Sequence, residues 1–208
     1  TSDPEFSYGQ VSNILRSVDS KKAFVVVSER GALDAINLET DNVLSRVDTK
    51  FEVDLNDFPV QQNRPALLSP DGLRLYLVRE LEPARTADPS QDLEAADEIP
   101  AAILIVDAVN NQLIEEVQIA KSPKSLSLDG SNLYLTHRDE SVSIFNTNSK
   151  TVTDTISLPL VGSQSQDVLV TLDKVFVSDH TAPRVFVFDK ATNNLLQTLS
   201  LERSYDLE

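Results

Sequence analysis

The sequence predicts an all-β protein built as a β-propeller of four four-stranded antiparallel blades. Three observations carry this. Apolar runs of strand length end repeatedly on an Asn or Asp, namely Asn37, Asp107, Asn146 and Asp189. Turns rich in Asn, Asp, Thr and Ser follow each of these anchors, and such residues bond their own backbone and tolerate left-handed geometry. The unit recurs with anchor spacings of 70, 39 and 43 residues, and four-stranded units of about 40–45 residues are the mark of a propeller.

Each repeat reads as strands A to D. An aromatic residue sits in the second strand: Phe24, Tyr76, Tyr134 and Phe176. It follows a turn containing Asp19-Ser20, Asp71-Gly72, Asp129-Gly130 or Asp173-Lys174. The anchor closes the third strand. Apolar residues six and ten positions after it, from Val43 and Val47 to Leu195 and Leu199, mark the fourth. The repeats span about 11–50, 64–120, 123–160 and 166–202, a single domain. Repeat two carries an inserted acidic loop over 81–100, and a long link from Asp48 to Arg64 precedes it. No 3.6-residue periodicity runs through these segments, which excludes a helical solenoid. An immunoglobulin-like sandwich also uses short strands, but does not require one register repeated four times. The repeats are compatible with a closed four-bladed ring, an arc of a larger propeller, or half of a dimeric ring. Thr1 to Phe6 resembles a cloning scar and Leu207-Glu208 another; both are set aside, which leaves 7–206 as the expected domain.

The stretch Ser122 to Leu158 sharpens the reading. It runs from Ser122-Pro123 through an apolar strand to Asp129-Gly130, then Tyr134-Leu135-Thr136-His137, a strand ending at Asn146, and a Thr/Asn turn. It resembles the YVTN-type propeller repeat of surface-layer and extracytoplasmic proteins, with His137 where the naming tetrad has Asn. Phe176-Val177-Ser178-Asp179 matches more loosely, and repeats one and two keep the strand but lose the Thr-Asn end. The resemblance implies a propeller and an extracytoplasmic or cell-surface location. It implies no activity, because propellers host unrelated functions.

Composition limits the chemistry. The 208 residues hold 18 Lys and Arg against 33 Asp and Glu, a net charge of −15. That argues against a nucleic-acid partner, which needs clustered bases, and no apolar run is long enough for membrane insertion as a helix. There is no Cys and no Trp, and there are two His. Thiolate zinc sites and the Trp- and Cys-dependent quinone or haem propeller enzymes are thereby unsupported, so no cofactor is expected. No G-x-S-x-G elbow or phosphate-binding glycine loop is present. No catalytic residue is assigned.

Loops on a rigid scaffold are where binding residues gather. The B–C loops differ between repeats and bring Arg30, Arg79, Arg138 and Arg184 to one end of the blades. Guanidinium forks suit a small anionic ligand. The alternative is that each pairs with its acidic neighbour: Glu29, Glu80, Asp139 or Asp179. His137 and His180 share one register beside Asp139 and Asp179, and a two-His, two-carboxylate metal site is chemically reasonable. Two surface histidines are the simpler reading, so no metal is assigned. In the insertion, Asp88-Pro89-Ser90-Gln91 is a helix-start signal and predicts a short helix over Pro89 to Glu98. The calcium-loop pattern fails there, with Leu93 at its glycine position and Ile99 at its final Glu position.

The function expected is a non-enzymatic binding module that meets a protein partner, or another copy of itself, through the end formed by B–C loops and D–A links. The rival is part of a lactonase-like or metal-dependent hydrolase. The uniform C–D turns are expected to be structural, with Asn111 and Asn194 holding left-handed backbone.

Overall fold

The computed structural model describes residues 11–27, 32–48, 65–79, 100–137 and 139–201. The proposed scars, Arg30, Arg138, the acidic insertion before Pro100 with its predicted helix, and most of the link before repeat two lie outside these residues.

Sixteen strands are present among the described residues, in four antiparallel sheets whose strands neighbour one another in chain order. Blade one holds β1 (Val11–Arg16), β2 (Lys22–Val27), β3 (Ala32–Asn37) and β4 (Val43–Asp48). Blade two holds β5 (Ala66–Leu68), β6 (Arg74–Arg79), β7 (Ala102–Asp107) and β8 (Gln112–Gln118). Blade three holds β9 (Pro123–Asp129), β10 (Asn132–His137), β11 (Ser141–Asn146) and β12 (Thr151–Ser157). Blade four holds β13 (Ser165–Val170), β14 (Lys174–Asp179), β15 (Arg184–Asp189) and β16 (Leu195–Ser200). These are the four repeats read from the sequence.

The chain divides into two compact units, residues 1–120 and 121–208. In the first, β1 lies against β5 and β4 against β8. Phe24, Val26 and Leu33 pack there with Leu75, Leu77 and Leu104 in one apolar core. In the second, β13 lies against β9 and β10. Tyr134, Val142 and Ile156 pack there with Val175, Val177, Phe186 and Phe188. The two middle strands of a blade are the most buried: Ala102 to Val106 and Val142 to Phe145 lose nearly all exposure on both faces. Burial on both faces explains why Ala102 to Val106 reads as a continuous apolar run and not as alternation, whereas β11 buries Ser141 and Ser143 among its apolar residues.

The C–D turns repeat almost atom for atom. Oδ1 of each anchor accepts two backbone N–H groups, from the second and third residues after it. The pairs are Glu39 and Thr40, Val109 and Asn110, Asn148 and Ser149, and Ala191 and Thr192, all at 2.8–3.1 Å. The fourth residue is left-handed in every case: Asp41, Asn111, Lys150 and Asn193, with φ of 57, 55, 59 and 57°. The sequence reading placed this geometry correctly at Asn111 but one residue late in blade four, where Asn193 and not Asn194 holds it. A β-branched residue in this region is a genuine outlier. Asn111→Val and Asn193→Val should each cost about 1–2 kcal/mol, whereas Asn194→Val should change little; urea unfolding of the three variants separates the positions.

Each C–D pairing also skips one residue of the D strand, seven positions after the anchor: Leu44, Ile114, Thr153 and Leu196. This β-bulge changes the face taken by the residues beyond it. Apolar residues at plus six and plus ten would share a face in a regular strand. With the bulge, Val47 and Ile156 enter the cores while Val43 and Val152 stay exposed.

Candidate functional site

The loop end of the second unit gathers most of the described residues singled out above. Three segments build it: the stretch before β9 with Lys121 and Ser122, the B–C loop of blade three with Asp139 and Glu140, and the link 158–164 into blade four. They enclose an open cleft of about 430 Å³ lined by Lys121, Asp139, Glu140, Ser141, Ser163 and Gln164.

The cleft is wired from within. The Lys121 ammonium donates to Asp139 Oδ2 at 2.6 Å and to Ser141 Oγ at 3.1 Å, and Ser141 Oγ donates in turn to the other Asp139 oxygen. Burial raises the Asp139 pKa, but the bonds from Lys121 and Ser141 outweigh it and hold the carboxyl below its ordinary value. Asp139 therefore pairs with Lys121, its neighbour in space. A Glu140 carboxylate oxygen accepts the Gly162 N–H, and the Glu140 carbonyl accepts the Leu158 N–H at 2.8 Å. The link is thus tied to the B–C loop at two points. Its apex is apolar and open to solvent: Leu160 is 42% and Val161 97% exposed.

His137 lies behind this loop, 3% exposed, and is not the surface residue the sequence suggested. Its Nδ1 faces the Ser122 carbonyl at 3.4 Å, and its Nε2 meets Ser143 Oγ at 2.9 Å. A carbonyl only accepts, so the proton sits on Nδ1 and Nε2 takes the serine hydrogen. Burial lowers the His137 pKa below the usual imidazole value. The imidazole is neutral and fully bonded, and serves the core. Ser165 fastens the same region to blade four. Its Oγ accepts the His137 N–H at 2.9 Å and donates towards the carbonyls of His137 and Ser141, each at 2.7 Å.

Asp179 organises the B–C loop of blade four. Its Oδ1 accepts N–H groups from Gln164 at 3.1 Å and Thr181 at 2.9 Å, and the Thr181 hydroxyl at 2.8 Å. Its Oδ2 takes Arg184 Nε at 2.6 Å. Burial opposes ionisation, yet these bonds prevail and bring the pKa down to about 2. Arg184 also donates to Ser163 Oγ at 3.1 Å and lies 5.5 Å from the Phe186 ring centre. This arginine pairs with its acidic neighbour, as the second sequence reading held. His180, by contrast, is exposed, and its backbone N–H bonds the Gln164 carbonyl at 2.8 Å. Among the described residues, no group of three or more His, Asp or Glu side chains is arranged to hold a metal.

In the first unit, Arg79 is 2% exposed. Its guanidinium donates to the Pro100 carbonyl through Nε and a terminal nitrogen, both at 3.2 Å, and pairs closely with Glu116. The sequence reading paired it with Glu80. The partner instead comes from the D strand of its own blade. Arg79 clamps the two ends of the insertion, and its charge is consumed inside the blade.

Lys121, Glu140, Ser163 and Ser165 were not singled out by the sequence. Each lies in a link or at a strand start whose spacing carries no signal, and only the stacking of blade four on blade three brings them together.

No family model matches the chain, and no curated protein sequence matches it. Solved structures do resemble it. Hydrazine synthase of Kuenenia stuttgartiensis superposes with a TM-score of 0.66 at 14% identity, over 97% of this chain and 52% of that one. The dihydro-heme d1 dehydrogenase NirN, in complex with DHE, gives 0.64 at 10% identity, over 93% of this chain and 38% of that one. This chain thus spans about half the length of the first and less of the second. Both are β-propeller proteins, and at such identities the likeness shows the fold: this chain is a β-propeller.

Proposed function

We propose that the chain is a non-enzymatic binding module of a YVTN-type extracytoplasmic or surface protein, engaging a protein partner through the loop end of its second unit. The observation that carries this is the cleft beside Leu160 and Val161, whose charged groups are held in place before any partner arrives. Preorganised polar groups next to exposed apolar side chains have the composition of an interface, and little entropy remains to be lost on binding. The arrangement does not favour chemistry: Lys121 is ion-paired, Ser141 donates to a carboxylate, and both ring nitrogens of His137 are engaged. With two carboxylates against one ammonium, the cleft suits a segment carrying Lys or Arg beside an aliphatic residue.

Selection of displayed peptides on the immobilised chain tests this. Enrichment of basic–aliphatic peptides is expected. Their affinity should fall about tenfold or more in Val161→Asp and in Asp139→Ala/Glu140→Ala, and stay unchanged in Asn148→Ala at the opposite end of the blade. Peptides that bind Val161→Asp as well as the parent, or turnover of a lactone or ester abolished by Ser141→Ala, would overturn the proposal.

A further inference from the structure

The four outer D strands are not alike. β4 carries Arg46 and Asp48, β8 carries Glu115 and Glu116, and β12 carries Asp154, whereas β16 continues as Leu195-Leu196-Gln197-Thr198-Leu199-Ser200-Leu201 without a charge, proline or glycine. β16 is exposed along its whole length and ends its sheet. Leu195, Leu196, Leu199 and Leu201 are 41, 53, 38 and 53% exposed. Charges on an edge strand prevent pairing with another chain, and a long neutral apolar edge invites it.

The backbone shows which groups are open. The Leu201 N–H bonds the Pro183 carbonyl at 2.7 Å, and Leu199 and Gln197 stand opposite Val185 and Val187. Antiparallel alternation then turns the N–H and C=O of Thr198 and Ser200 away from β15, to the open side.

We infer that β16 is a self-association edge, pairing antiparallel with β16 of a second copy to join two blades into one eight-stranded sheet. Charge and apolarity together select this mate, since on β4 the Arg46 guanidinium is already held through two nitrogens by Asp34 of its own blade. The chain carries −15 overall, so two copies repel wherever carboxylates meet. Pairing β8 with itself would confront glutamates, and pairing β12 with itself would bring aspartates together. β16 against β16 confronts no charge at all. The register that lets Thr198 and Ser200 exchange bonds with Ser200 and Thr198 of the mate is two-fold symmetric about Leu199. An isologous contact of this kind closes at a dimer. It lies along the outer edge of blade four, separate from the cleft, and does not depend on the function proposed above.

Sedimentation of the full chain across a concentration series tests it. A monomer–dimer equilibrium is expected that tightens from low to physiological salt as the net repulsion is screened. Ser200→Pro removes an outward N–H without touching the ladder to β15 and should weaken dimerisation at least about tenfold, with the thermal midpoint of the dilute monomer unchanged. The chain has no cysteine, so Leu199→Cys reports geometry directly. Opposed non-hydrogen-bonded residues stand about 4.5 Å apart, within disulfide range. Mild oxidation should give a covalent dimer, whereas Thr155→Cys on β12 should not. A chain that stays monomeric at high concentration and physiological salt, or a dimer that survives Ser200→Pro while Leu199→Cys fails to cross-link, overturns the inference.

Discussion

Replacing Asp179 by alanine is expected to lower the stability of the second unit by about 3 kcal/mol. The side chain has no exposure, and its loss would leave Arg184 half-buried without its carboxylate and the N–H groups of Gln164 and Thr181 without acceptors. Removing one partner of a buried ion pair typically costs about 3–5 kcal/mol, and each orphaned donor adds to it. Asp179→Asn keeps an oxygen for Gln164 and Thr181 but presents an amide to Arg184, so an intermediate loss is expected. Acid supplies an independent readout. Asp179 has its pKa depressed from 3.8 to about 2 in the folded chain. Its contribution is therefore present in full above 3.8 and is lost as pH falls from there towards 2. At 1.36 kcal/mol per pKa unit, about 2 kcal/mol disappears across that window. Urea unfolding at pH 7, 4 and 2 should show the parent and Asp179→Asn converging as the solution is acidified. A constant gap would mean that the carboxylate's charge contributes nothing.

The second large effect is expected at Arg79. Arg79→Ala should destabilise the first unit by about 3–5 kcal/mol, because Glu116 and the Pro100 carbonyl lose a fully buried partner. The double variant Arg79→Met/Glu116→Leu should recover most of that loss, since apolar residues of similar volume replace buried ion pairs at little cost. A ligand-binding arginine would behave differently: its removal would spare stability and abolish anion binding. Denaturant unfolding of the three proteins, with a titration of inorganic phosphate into each, distinguishes the two roles.

The fold was legible because its determinants are local. Strand identity follows from apolar runs. Blade phase follows from Asn37, Asp107, Asn146 and Asp189, whose side chains bond backbone two and three residues away and so recur at one spacing. Even there the left-handed residue of blade four was placed at Asn194 instead of Asn193, and the bulges at Leu44, Ile114, Thr153 and Leu196 left no mark in composition. The site was legible only in its short-range part. Arg184 and Asp179 are five residues apart in one loop, and their pairing could be read. The partners of Lys121, Ser165 and Arg79 lie 18 to 37 residues away and those of the His137 ring 6 and 15, reached by stacking one strand or one blade on another. What the sequence determined by itself is therefore the repeat, its turns and its acidic charge, each set within a few residues of backbone. Which carboxylate holds which cation, that His137 is buried and neutral, and that Lys121, Asp139 and Glu140 share a cleft were decided only by tertiary packing, because burial and pairing depend on neighbours that the chain brings together after its strands are in place.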